Sequence, residues 1–315
     1  MDYLLGRAEQ LASVNSSFFG GKRVLLTGSC GSVGSVVARI LAPLARLTCL
    51  DISEQGLFWQ ARELEEAEYE LGDFRELNIE QVRRQDIIIH TAAYKHVNLL
   101  EQFPGQAIAN NVGAVANLAG LCWHAGRHFC QISTDKAGEA QGLMGKTKWV
   151  AERCIDAWRH LGLRCTIIRF ANVLGSSGSV KQVWDARQNN HITVTSCDMW
   201  RWFITEDEAA CHILKAIETT SEKNYLFAIK PPEETNIFEM AQRYARRECC
   251  AIKVTHPGQA EKTREKFCHE NQHLEPIEGL LYVVRRSDVD DSVCQPGRNL
   301  PSAGVQTDTP ALKRR

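Results

Sequence analysis

An unbroken apolar run ending in a glycine turn constrains this chain more than any other stretch. KRVLLTG, residues 22–28, has the composition of a strand buried on both faces, as parallel sheets produce. It runs directly into TGSCGSVG, which sets Gly28, Gly31 and Gly34 at the mouth of the apolar-periodic stretch SVGSVVARILAPLA. Strand, glycine turn and helix in that order open a βαβ unit. The glycines permit a tight turn and a close backbone approach, and the helix N-terminus offers free N–H groups to a pyrophosphate. Used for packing alone, the same glycines would only bring helix and strand together.

The alternation continues. RLTCLD, YELGD, QDIIIHTAA, HFCQIST and RCTIIRF read as further strands, with helical patterns between them, including one long helix over PGQAIANNVGAVANLAGLCWHAG. This rhythm predicts an α/β fold, a Rossmann-type doubly wound parallel sheet whose strand C-termini share one rim. After residue 175 short strands and helices mix, as in a smaller α/β C-terminal substrate-binding cap. The expected division is a lead-in over 1–21, a nucleotide-binding domain over 22–175, mainly a cap over 176–290 with some elements returning to the first domain, and a disordered tail over 291–315.

Bulk properties narrow the function classes. The net charge of -1 gives no field for nucleic acid or anionic membrane. No apolar run approaches the ~20 residues that span a bilayer, and the N-terminus lacks a signal-peptide core. Twelve cysteines without a CxxC pair read as reduced thiols of a cytoplasmic protein, and no metal site is expected.

The cofactor end is the most specific part of the reading. Gly28, Ser29, Gly31, Ser32, Val33 and Gly34 form the turn. Asp51, at the end of the second strand, can accept hydrogen bonds from ribose hydroxyls and would repel a 2′-phosphate, which favours NAD over NADP. Ser53 is a candidate N-cap of the next helix. Asp73 and Phe74 follow the third strand, Asp73 either meeting the adenine edge or capping a turn. Thr91, Ala92 and Ala93 are small enough for a cofactor to lie across the sheet. Cys30 in the turn is either acidified by the helix end or simply small.

Several stretches, in order, resemble the extended short-chain dehydrogenase/reductases, and within them the nucleotide-sugar 4,6-dehydratases of bacterial polysaccharide and glycan synthesis. They are LLGR, TGSCGSVG, AAYKHVNLLE, NNVGAVAN, STDKAGEAQGLMGKTKWVAE, RFANVLGSSGSV, ITVTSCDMWRWFITEDEA and a worn EKTREKF, spanning roughly residues 3 to 270. The opening looks like the catalytic part of membrane-anchored UDP-GlcNAc 4,6-dehydratases, here expected as a free-standing form without the anchor. Met144 stands where most short-chain dehydrogenases carry a tyrosine, four residues before Lys148, and Met is frequent there in this group.

The resemblance implies NAD-dependent dehydration of a UDP-N-acetylhexosamine, most simply UDP-GlcNAc, to a 4-keto-6-deoxy sugar. It implies Asp135 as acid toward the C6 oxygen and Lys136 as base at C5, although adjacent Asp and Lys could equally be a plain ion pair. Thr134, with a water polarised by Lys148, would serve the C4 hydroxyl, and Lys148 would also hold the nicotinamide ribose. Met144 belongs to the site wall without an acid–base role. On the substrate side the resemblance implies Lys95 and His96 beside the sugar, and Asn172, Ser179, Val180, Arg201 and either Lys262 or Arg264 at the diphosphate and base. His96 could instead be structural, and Arg201 could stack between Trp200 and Trp202. Asn98, Ser177 and the worn EKTREKF depart from the family pattern, all on the nucleotide-sugar side. A C5-inverting dehydratase or an epimerase on another nucleotide sugar, and a non-catalytic NAD-binding protein, are the alternatives. Members of the group often form dimers or hexamers, so a homo-oligomer is expected.

Overall fold

The computed structural model describes residues 2–5, 8–256 and 261–286; the tail expected over 291–315 lies outside them. Among the described residues nine strands form the main sheet: β1 (Arg23–Thr27), β2 (Arg46–Asp51), β3 (Glu68–Leu71), β4 (Ile87–His90), β5 (His128–Thr134), β6 (Cys165–Phe170), β7 (Leu226–Ile229), β8 (Gln272–Glu278) and β9 (Leu281–Arg286). Their order is β8-β9-β7-β6-β5-β4-β1-β2-β3. The seven strands from β3 to β7 are parallel, and β9 and β8 close the far edge antiparallel. The apolar runs earn their place: β4 and β5 are buried at every position.

Helices α1 (Ser32–Leu41), α2 (Glu54–Glu63), α3 (Val115–Ala125), α4 (Leu143–His160) and α5 (Glu206–Thr219) flank the sheet. α1 packs on α5, and α3 on α4. The strand order reverses between β1 and β4, which under right-handed crossovers sends the two helix groups to opposite faces and opens a crevice at the strand C-termini. α5 starts at a reciprocal cap, with Glu208 N donating to Thr205 Oγ1 at 3.1 Å and Thr205 N to Glu208 Oε2 at 2.9 Å.

The long helix expected over 104–126 is interrupted. A π-helical turn at Ala109–Ala114 follows a short helix, Pro104–Ile108. The extra residue in that turn buries Asn111, whose amide brackets Tyr94: Tyr94 N donates to Oδ1 at 3.0 Å and Nδ2 donates to Tyr94 O at 2.8 Å. The turn thereby holds the loop that carries Lys95 and His96.

The residues after 175 divide. α5, β7 and the β8–β9 hairpin share the main core with β1, β5 and β6. A second core gathers Trp184, Ile192, Met199, Phe203, Met240 and Tyr244 around α6 (Ile237–Glu248), beside strand pairs His191–Val194 with Ala251–Val254 and Trp200–Arg201 with Thr235–Asn236. The lead-in is shared: Leu4 is fully buried in this second core, where Arg243 Nη1 donates to its carbonyl at 3.0 Å, whereas Phe19 is buried in the main core.

Candidate functional site

One cavity of about 1490 Å³ runs along the rim, from the glycine turn at one end to the second core at the other. At the glycine end, Gly28 holds φ +73°, and a Cβ there would lie 2.6 Å from Ala92 N. Thr91 Oγ1 locks the approach by donating to the Thr27 and Gly28 carbonyls at 2.8 and 3.0 Å. α1 opens at Gly31 with no side chain capping its first N–H groups, so these can meet an anion. Asp51 is fixed by Cys30 N and Ser53 N, each donating at 2.9 Å to a different carboxylate oxygen, and each oxygen keeps acceptor capacity. These features fit a dinucleotide.

Ser32, Val33, Ser53, Ala92 and Ala93 join this wall, but Ser29 does not. Ser29 is completely buried, and its carbonyl accepts from Gln60 Nε2 at 3.0 Å. Asp73 lines the cavity and also caps the turn, accepting from Arg75 N at 2.9 Å and ion-pairing with the Arg75 guanidinium. The Arg75 side chain holds the Asp73 carboxyl below the usual carboxylate range. Phe74 is buried against the His90 ring, centroids 4.4 Å apart. Cys30 is not acidified: burial, then the Asp51 charge, push its thiol up to about 11.

The middle of the cavity is built at the end of β5. Lys136 Nζ donates to Asp135 Oδ1 at 3.1 Å and to Asn172 Oδ1 at 3.2 Å. Thr134 Oγ1 donates to Asp135 Oδ1 at 2.9 Å. Thr134, Lys136, Met144 and Lys148 face the cavity. Asp135, expected to face a sugar oxygen, does not: its side chain is fully buried behind Lys136, with Oδ2 lacking a hydrogen-bond partner. Lys148, on the same face of α4 as Met144, donates to the Ile132 carbonyl at 2.9 Å. Burial pulls its ammonium down to about 8, against the opposing charge of Glu152.

Beneath lies a buried ion pair. Arg169 on β6 meets Glu152 on α4 through two parallel contacts, Nη2 to Oε2 at 2.6 Å and Nε to Oε1 at 2.9 Å, with both side chains fully buried. Ser133 Oγ donates to the same carboxylate at 2.5 Å. Arg169 Nη1 reaches on to the Phe267 carbonyl at 2.6 Å and Gln272 Oε1 at 3.0 Å. The ion pair thus fastens β5, through Ser133, to β6, α4 and the segment after residue 261.

On the substrate side, Lys95, His96, Asn172, Ser179, Val180, Arg201 and Lys262 all line the cavity. Burial lowers the Lys95 ammonium, opposed by Glu206. The His96 ring abuts Gly178, where a Cβ would strike it. Ser179 caps the helix Val180–Asp185. Asn172, expected at the diphosphate, is committed to Lys136. Arg201 is not stacked between Trp200 and Trp202; Arg264 and Lys230 lie over those rings instead. Its guanidinium donates to the carbonyls of Trp200 (2.8 Å), Thr263 (3.1 Å) and Lys262 (2.7 Å), clamping the worn motif. Ser177, the residue in place of an expected arginine, docks the cap loop on the glycine turn, its N–H donating to Ser32 Oγ at 2.9 Å.

The sequence reading kept Glu265 in the worn motif but gave it no role in the site. Its side chain is 5% exposed and lies on the cavity wall, Oε1 3.8 Å from Lys136 Nζ and Oε2 3.7 Å from Lys262 Nζ. EKTREKF marks Glu265 as a retained motif residue, but nothing local in it signals a partner in the turn after β5.

The chain resembles known proteins over most of its length. It is 33% identical over 293 residues to an uncharacterized membrane protein of Methanocaldococcus jannaschii, covering 85% of this chain and 87% of that one. It is 27% identical over 221 residues to an inverting UDP-N-acetylglucosamine 4,6-dehydratase of Campylobacter jejuni, where it spans 64% of each chain, less than two thirds of the relative's length. The fold is shared with the crystal structure of Pen from Bacillus thuringiensis, at a TM-score of 0.77 and 23% identity over 87% of this chain and 89% of that one. The profile of one family, described as polysaccharide biosynthesis protein, matches residues 24–284, and the chain belongs to that family.

Proposed function

We infer that the protein is an NAD-dependent nucleotide-sugar 4,6-dehydratase acting on a UDP-N-acetylhexosamine, with UDP-GlcNAc the first candidate. The observation that carries this is Lys136: an amine on the cavity wall beside carboxyl groups, in the same cavity as a glycine cradle fit for a dinucleotide. The Campylobacter relative's name supports the substrate class. NAD, when bound, would take a hydride from C4 and give it back at C6. Gly28, the N-terminus of α1, Asp51 and Lys148 would hold it. Thr134, with Lys148, serves the proton of the C4 hydroxyl. Lys136 as neutral amine takes the proton from C5, made acidic by the C4 ketone, and a carboxyl group protonates the departing C6 oxygen. Asp135 orients Lys136 from behind.

The test is incubation with NAD and UDP-GlcNAc in deuterated water, followed by mass and proton spectra. Loss of one water with deuterium at C5 is the expected result. An unchanged sugar across a panel of UDP-hexosamines would overturn the reading. Inversion at C5 is a second reading, favoured by the inverting Campylobacter relative, and the C5 coupling of the product distinguishes it.

A further inference from the structure

Each parallel strand except β3 is entered through a basic residue. Arg23 opens β1 and Arg46 opens β2; Arg84 stands before β4, Arg127 before β5, Arg164 before β6 and Lys223 before β7. The antiparallel β9 ends at the same rim in Arg285 and Arg286. The parallel register makes Arg23 and Arg46 direct neighbours. Like charges side by side repel, so such a row is destabilising unless something answers it. The net charge of -1 averages over the whole chain and conceals the row.

Local acids answer only part of it. Asp86 is shared by Arg23 and Arg127, Asp156 by Arg153, Arg159 and Arg286, and Arg285 pairs with Glu275. Glu222 adjoins Lys223, and the row stops at β3, which is entered through Glu65, Glu66 and Glu68. Arg46, Arg84 and Arg164 are exposed, and among the described residues none of the three has an ion pair or a side-chain hydrogen bond. Helix C-termini also reach this rim, and their partial negative charge favours a cation within the last turn. That accounts for Arg159 on α4. It does not reach Arg46 or Arg164, which stand more than one turn past the ends of α1 and α4.

We propose that this rim is a docking face for an anionic phospholipid surface. Among the described residues no helix is long and apolar enough to cross a membrane, so the contact is peripheral and electrostatic. From β2 to β9 the row crosses six strand-to-strand steps, about 29 Å at ~4.8 Å each. That is wider than one peptide strand or helix presents. The exposed arginines have no partner to fix their side chains, which suits headgroups that move rather than a partner of fixed shape. The cavity lies at the opposite rim, where Asp51, Thr91 and Thr134 line it at or just past the ends of β2, β4 and β5. Docking through the strand entries leaves the cavity on the side away from the lipid.

The experiment is co-sedimentation of the full chain with vesicles. The chain should pellet with mixed phosphatidylcholine–phosphatidylglycerol vesicles and not with phosphatidylcholine alone. Binding should be lost at ~1 M salt, where the screening length falls to about 3 Å. Each rim cation is worth about fivefold in binding, so joint Arg46→Gln, Arg84→Gln and Arg164→Gln should weaken it about a hundredfold. The urea midpoint of that variant should hold or rise, because repulsion is relieved. Removing exposed cations from the cap instead, by Arg246→Gln, Arg247→Gln and Lys253→Gln, should leave binding nearly unchanged. The readout needs no turnover, so it stands apart from the dehydratase reading. Equal pelleting with neutral vesicles, no pelleting with anionic ones, or equal losses from the rim and cap variants would each overturn the proposal. Retention on polyglutamate or single-stranded nucleic acid through the same arginines, without vesicle binding, would give the rim to a soluble polyanion and overturn the lipid assignment.

Discussion

Lys136 Nζ lies 3.1 Å from Asp135 Oδ1, and the Asp135 carboxyl does not reach the cavity that Lys136 faces. The two residues are neighbours in sequence and yet stand in different surroundings. The Asp135 carboxyl meets the cavity through Lys136 and through the Thr134 hydroxyl, which donates to its Oδ1 at 2.9 Å. Asp135→Asn is therefore expected to lower kcat by roughly 10–100-fold without a selective build-up of reduced nicotinamide. Stopped-flow absorbance beside product mass checks this. Accumulation of the oxidised sugar in that variant would give the acid role to Asp135.

Lys136→Met should abolish deuterium incorporation at C5 while leaving C4 oxidation measurable. The reason is that, among the described residues, no other amine faces both Asn172 and Glu265. Proton spectra after incubation in deuterated water read the outcome; normal wash-in would remove Lys136 from the mechanism.

Met144 is half-buried on the cavity wall and carries no proton to exchange. Met144→Tyr is expected to change kcat/KM by less than about tenfold, since the side chain borders open cavity space that can take the larger ring without overpacking. Steady-state kinetics on the two proteins decide it, with thermal unfolding to confirm an intact fold.

Lys148 predicts a pH signature of stability. Its folded-state value, about 8, lies below the ~10.4 of an unfolded lysine. Below pH 8 both states are protonated and the burial penalty is complete; above ~10.4 both are neutral and it is gone. Between these limits the unfolded chain binds more protons, so stability rises with pH. The difference between wild type and Lys148→Met should rise across that window, by at most about 1.4 kcal/mol per pH unit. Urea unfolding at several pH values measures it, and a flat difference would contradict the buried-amine account.

Breaking the Glu152–Arg169 pair should cost more than removing it. Arg169→Met leaves a fully buried carboxylate without its partner, for an expected loss of about 3–5 kcal/mol. Adding Glu152→Leu to Arg169→Met should recover part of that loss, as read from urea midpoints.

The sheet was legible because strands buried on both faces leave apolar runs, and β1, β2, β4, β5 and β6 all do. Gly28 and Asp51 were legible because a close backbone approach and a strand-end carboxylate leave marks at fixed spacing. The direction of a buried side chain leaves no such mark. Asp135 turns inward and Lys136 outward at consecutive positions, and only packing decides which. Asn172 and Glu265 find Lys136 across long stretches of chain, so neither announces its partner locally. The π-helical turn at Ala109–Ala114 was hidden for a related reason: the apolar periodicity runs through it, and what calls for it is the backbone of Tyr94.

The strand order has a consequence for how the chain can be made and cut. β6 is completed on its outer side only when β7 arrives from residues 226–229, and β7 is covered in turn by β9 from residues 281–286. A fragment stopping near residue 175 would present β6 as a bare, apolar edge, ready to pair with another copy. A nascent chain passes through the same state while residues 176–286 are still being added. Aggregation during synthesis, rather than loss of the nucleotide-binding turn, is therefore the hazard that truncations and slow translation of this protein would meet.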